Sequence, residues 1–411
     1  MAQVGYFKQI RPPWKSAAAK VAPLAREAMF ERSLSQSRKL SSYDAGRDNN
    51  FNLLRAIAAT MVIYSHTLAL SGRSETVGGV TSFGTLGVRL FFVMSGFLIT
   101  KSFLSRQSLK HFLLARFFRI FPGVWVAVIF CFFPVGWYFS TLHGAAYWHD
   151  PSVVHYFWKD LTLLTGTANP PSVFASNPIP GSVNASLWTL QYELILYLIT
   201  GLLGVLGLLQ DKKRYAIGLG ITVLAYLFFK TEGATNLVAF LKGSGLRADR
   251  WLDLSLLFIL GGAFCVYRDR VPLNWPLALL SIAIVFASFR WGWRDWVLPV
   301  FFAYGVLSLA FLPSGVLRKF NHLGDYSYGL YIYAFPVQQS LMALYLAAHP
   351  HLVVVKGKSP AWEVWPYFFS SLLGTLILAF LSWHLVEKPA LRAFQRISRA
   401  RQTAEPLERR W

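Results

Sequence analysis

The chain has 411 residues, 55% of them hydrophobic and only 14% charged, with a mean hydropathy of +0.42. Soluble domains carry about a quarter charged residues, so this balance excludes an ordinary water-soluble protein and points to the bilayer. The net charge of +21 has the size of a nucleic-acid binder's, but no aromatic-interleaved basic domain accompanies it, and basic cytoplasmic loops account for it.

Taken in chain order, residues 1–50 are rich in Ser, Ala, Lys and Arg and lack the pattern of a signal peptide. They read as a mostly disordered cytoplasmic tail. The membrane region runs over 51–395, and 396–411 reads as a second basic tail. A span needs about twenty mostly apolar residues. Candidates fall at 51–70, 84–104, 120–141, 187–209, 214–230, 251–268, 274–290, 295–312, 323–347 and 364–388. Strand-length alternation is missing, so the expected fold is an all-α polytopic bundle of about ten transmembrane helices. With both termini inside, about 28 of the basic residues fall on the cytoplasmic side and about 10 outside. The stretch 230–250, with Lys230, Lys242, Arg247 and Arg250, fits that orientation worst. The largest outside loop, 142–186, is polar and irregular and suits a lid, a carbohydrate contact or a passive connection. Cys131 and Cys265 lie in apolar segments and give no disulfide framework or metal spacing.

Charges inside apolar segments mark function or anchoring. In "FNLLRAIAATMVIYSHTLAL" Arg55 and His66 are eleven residues apart, about 20° beyond three helical turns, so they share a face with a rise of about 16 Å. Arg55 alone reads equally as a snorkelling anchor, and His66 as a packing histidine; together they favour function. Glu193 in "SLWTLQYELILYL" lies at a depth similar to that of His66 and is the expected partner that orients the imidazole. Arg89 in "GVRLFFVMSGFLIT" could pair with Glu193 or face an oxyanion or anionic acceptor. Arg116 and Arg119 in "HFLLARFFRIFPGVW" lie one turn apart, as a phosphate-binding pair or as topogenic charge.

Together "RAIAATMVIYSH", "FFVMSGFLI", "RFFRIFP", "SLWTLQYEL" and "LGDYSYGLYIYAFPVQ" resemble the acyltransferase-3 family, over about residues 50–395. The resemblance implies a multispan bacterial inner-membrane O-acyltransferase. Its donor would be acetyl-CoA or another acyl-CoA, with no metal. Its acceptor would be a hydroxyl of an extracytoplasmic carbohydrate, such as lipopolysaccharide, exopolysaccharide or a Nod factor. The family's motifs fall on Arg55 and His66, on Arg116 and Arg119, and on Glu193. By this reading His66 and Glu193 are catalytic, Arg55, Arg116 and Arg119 bind the donor, and Arg89, Trp188 and Tyr192 are acceptor or oxyanion candidates. Direct transfer with His66 as general base and an acetyl-histidine intermediate are both open. Arg89 stands where members often have an acidic or neutral residue, and Ala334 where many have histidine, which puts more of the acid–base work on His66. Lipid, glycan and polysaccharide-assembly proteins are the expected partners. The rival reading is a transporter or flippase for a lipid-linked glycan; a membrane scaffold would have no use for the buried Arg, His and Glu.

Overall fold

The computed structural model describes residues 38–44, 46, 48–163, 168–230, 247–291, 298–350 and 361–404. Among these the fold is helical, with isolated β-bridges only. Each of the ten expected segments coincides with a helix. Five helices are long and apolar enough to cross a bilayer: Phe51–Leu70, Phe83–Arg106, Leu109–Gly136, Ala185–Val205 and Val364–Arg399. A sixth candidate is a broken pair, Leu298–Phe311 and Gly315–His322, bent by 84°.

The first 37 residues, most of the expected disordered tail, lie outside the described residues. The segment from Leu40 to Asp44 is packed rather than loose. A short helix α1 (Leu40–Tyr43) buries Leu40 completely, and Asp44 takes Lys101 Nζ at 2.5 Å and Arg268 Nη1 at 3.1 Å. One carboxylate between two cations pins the segment to the bundle.

Helix α2 (Phe51–Leu70) and α3 (Phe83–Arg106) form the centre. Ser82 caps α3 by accepting from Thr85 N, and Gln107 closes it in the left-handed region at φ 52°. Ser108 then starts α4 (Leu109–Phe130) by accepting from His111 N. The third helix therefore begins eleven residues before the expected 120. The cap, not the loss of hydrophobicity, sets its start, and its first turns are basic. It continues as a π-helical turn, Cys131–Gly136, containing Pro134.

The loop at 142–186 is more built than its composition suggests. It holds α5 (Ala145–His149) and α6 (Pro151–Thr162). These close a small core with Phe132, Val135, Tyr147, Tyr156 and Phe174. Asn177 and Asn184 clamp the loop to the bundle by donating to the carbonyls of Gln339 and Ile332 at 2.9 and 2.8 Å.

Helices α7 (Trp188–Val205), α8 (Lys212–Lys230) and α9 (Ala248–Val266) come next in the chain. α3 and α9 touch backbone to backbone. A Cβ on Gly96 would lie 1.9 Å from the carbonyl oxygen of Phe258, and one on Gly261 would lie 2.2 Å from that of Val93. Glycine at both positions lets two lipid-soluble helices approach closely. After α10 (Trp275–Trp291), α11 (Leu298–Phe311) and α12 (Val316–Lys319) comes α13 (Ser327–Ala348). It packs on α2, where Gln338 Nε2 donates to Ile63 O and Thr67 Oγ1. Finally α14 (Ala361–Ser382) passes through a π turn, Trp383–Glu387, into α15 (Lys388–Ala404). The expected tail from 396 is thus helical to 404. It returns against α4, with Phe394 beside His111 and Phe118 at ring-centroid distances of 5.0 and 5.8 Å.

Candidate active site

Two cavities meet inside the bundle. The larger, of about 790 Å³, opens where α3 ends and α4 begins. Its polar walls come from Arg55, Ser95, Arg106, Arg116, Arg119, Glu193 and Tyr197. The second, of about 450 Å³, lies toward the Ser82 end of α3 and is lined by His66, Arg89, Trp188, Arg250 and Asp253. Val88 and Tyr331 line both, so they form the partition. The Tyr331 hydroxyl is held there by Thr189 Oγ1 at 2.5 Å.

In the larger cavity the three arginines expected to act alike have different surroundings. Arg119 bonds Asp325 Oδ2 at 2.5 Å and Glu387 Oε2 at 3.3 Å, and Arg55 reaches the same Asp325 oxygen at 3.3 Å. Ser327 Oγ donates to the other Asp325 oxygen. Arg55 and Arg119 are therefore already neutralised, which burial of a guanidinium demands. Arg116 is not: among the described residues it makes no ion pair. It donates to Ser102 Oγ at 3.4 Å, its Nε is buried without a hydrogen-bond partner, and Phe112 and Tyr197 flank it at 5.9 and 6.0 Å.

Glu193 faces this cavity too, and it does not orient His66 as expected. Its carboxylate accepts from Ser95 Oγ at 2.8 Å and from the Tyr197 hydroxyl. Equal depth in a membrane fixes a residue's height and not its direction around the helix axis. Arg89 does not pair with Glu193 either. It grips Asp253 with two bonds, Nε to Oδ2 at 2.9 Å and Nη2 to Oδ1 at 3.2 Å.

His66 lines the second cavity with its Nδ1 buried and without a hydrogen-bond partner; the edge of Phe335, 4.9 Å away between centroids, sets the ring plane. Trp188 contributes an aromatic face already covered by the Arg250 guanidinium at 4.1 Å. Tyr192, one turn on, is not a wall residue. It is 3% exposed, and its hydroxyl accepts from the backbone N of Arg247 at 2.8 Å. That bond ties Tyr192 to the start of α9.

The family model described as "Acyltransferase domain" matches residues 48–384. The chain belongs to the acyltransferase-3 family. Two similar relatives are an "O-acetyl transferase" of Shigella phage Sf6 and "Nodulation protein 10" of Rhizobium leguminosarum bv. viciae. The first is 29% identical over 353 residues, 83% of this chain and 96% of the relative. The second is 27% identical over 384 residues, 86% of this chain and 95% of the relative. No solved structure matches.

For an acyltransferase-3 chain the residues missed from the sequence are instructive. Asp325, Glu387 and Asp253 are the acids that complete the arginine sites. Their signal was available, because each is a carboxylate in or beside an apolar segment, and every buried arginine needs one. Tyr331 and Tyr197 gave no comparable signal among eighteen tyrosines.

Proposed function

We propose that the chain is a ten-span bacterial inner-membrane enzyme with both termini in the cytoplasm. Its reaction is transfer of an acyl group, acetyl above all, from cytosolic acyl-CoA to a hydroxyl of an extracytoplasmic carbohydrate. The observation that carries this reading is the pair of abutting cavities, one with an un-neutralised buried arginine, the other with His66 on its wall. A thioester carrier is polyanionic and cannot cross lipid. A cation inside a cavity open at the cytoplasmic end is what it needs. Arg116 takes that part, with Arg55 and Arg119, neutralised by Asp325 and Glu387, as the structural frame of the cavity wall. The acyl end then passes the partition of Val88 and Tyr331 and meets the sugar beside His66.

In the transfer His66 takes the proton of the sugar hydroxyl as its oxygen attacks the thioester carbonyl. The new C–O bond replaces the C–S bond, and the departing thiolate recovers the proton. With Nδ1 buried, Nε2 is the nitrogen that works. Arg89, held rigid by Asp253, and Trp188 are the acceptor-side residues. The name of one relative, an O-acetyl transferase, supports an acetyl group as the one transferred and oxygen as its acceptor.

Purified chain in nanodiscs, given acetyl-CoA and a panel of surface glycans, should release free thiol only when an acceptor glycan is present. Glycan movement across vesicles without thiol release would overturn the reading in favour of a flippase.

A further inference from the structure

By composition the residues after 395 look like a tail, but α15 forms one wall of the larger cavity at its mouth. There three elements converge on one spot. Arg106 ends α3, His111 opens α4, and Phe394, Ser398 and Arg399 come from α15. Arg106 Nη1 donates to Ser398 Oγ at 3.2 Å and lies 3.5 Å from His111 Nδ1; Ser398 Oγ is 3.4 Å from the same nitrogen. The rings of His111 and Phe394 lie 5.0 Å apart between centroids. Among the described residues Arg106 makes no ion pair with a carboxylate.

We propose that this mouth is a subsite for a phosphorylated adenine nucleoside, with α15 as one of its walls. The Arg106 guanidinium, beside the Ser398 hydroxyl, supplies donors for phosphate oxygens. The His111 and Phe394 rings supply an aromatic surface for a base, whose recognition by stacking needs no further hydrogen bonds. Along α3 the mouth is about 16 Å from Ser95, which lies beside Glu193, by helical rise. His111 and Arg116 are separated by about 7 Å in the same way. The nucleotide subsite is therefore a layer of its own, outside the Arg116 layer. This deepens the acyl-CoA reading above, and it assigns the nucleotide end of the donor to residues that take no part in the transfer.

The probe is adenosine 3′,5′-bisphosphate, measured by equilibrium binding to the full chain in nanodiscs. Parent protein should bind it. Arg106→Gln and Phe394→Leu should each weaken binding about tenfold or more at unchanged thermal stability. Arg106→Gln should leave binding of unphosphorylated adenosine as it was, and Phe394→Leu should weaken both ligands. Failure of the parent to bind the bisphosphate while it turns over acetyl-CoA would overturn the subsite and leave the proposed function standing. Binding that both variants leave unchanged would also overturn it. Binding with the expected variant pattern but no turnover of acetyl-CoA would support the subsite and sink the acyl-CoA reaction.

Discussion

Arg119 Nη2 and Asp325 Oδ2 lie 2.5 Å apart, and the same oxygen is shared with Arg55. One carboxylate, two residues before α13, thus joins α2 to α4. Asp325→Asn strips a buried charge from two guanidiniums at once. Breaking a buried pair by removing one partner costs roughly 3–5 kcal/mol. We expect a large fall in Tm in detergent for Asp325→Asn and a smaller one for Arg55→Met, which leaves Asp325 with Arg119. Equal stability of Asp325→Asn and parent would show that the bridge holds nothing together.

Among the described residues Arg116 has no carboxylate partner to lose. Arg116→Ala should therefore leave Tm near the parent's and act on the donor. A charged hydrogen bond contributes about 1.5–3 kcal/mol, so KM for acetyl-CoA should rise about tenfold to a hundredfold while kcat changes little. Initial-rate kinetics against donor concentration at saturating glycan separates the two constants.

His66→Ala should lower kcat by about 10²–10⁴-fold with the protein still folded in the membrane. Because Glu193 bonds Ser95 and Tyr197 rather than His66, Glu193→Gln should leave the pH profile of kcat unshifted. A shift of that profile by Glu193→Gln would mean that the two residues meet during turnover.

Asp160, in α6 outside the spans, is 1% exposed, with one oxygen accepting from Ala168 N and the other without a partner. Burial raises its pKa from 3.8 to about 8. Between those values the unfolded chain has lost the proton that the folded chain keeps, so rising pH favours unfolding. The stabilisation is complete below about pH 4 and gone above about pH 8. Tm should fall between pH 5 and pH 9, and Asp160→Asn, which keeps the neutral form, should flatten that fall. An identical slope in both proteins would show that Asp160 does not titrate there.

Gly96→Ala should destabilise, because its new methyl would sit 1.9 Å from a backbone oxygen that cannot rotate away. Overpacking of this kind costs about 1–3 kcal/mol or more. Gly218→Ala, at a site with open space around it, should be neutral or slightly stabilising, since alanine is the better helix former. Thermal melts of the two variants side by side check both signs.

The sequence by itself determined the helices and their order. A backbone in lipid must satisfy its own hydrogen bonds, so long apolar segments have one outcome. It also singled out Arg55, His66, Arg89 and Glu193, because charged groups in such segments are costly and rare, and Arg116 with Arg119 as a basic pair one turn apart. Only the tertiary structure decided which of them meet. The direction a side chain takes around its helix axis depends on how the helices pack, and depth along the chain carries no information about it. Glu193 thus turned to Ser95 and Tyr197, Arg89 found Asp253, and two of three arginines found acids more than two hundred residues away in the chain. The C-terminal helix is the same lesson at larger scale. Its polarity made it look like a tail, and contact with α4 made it a wall.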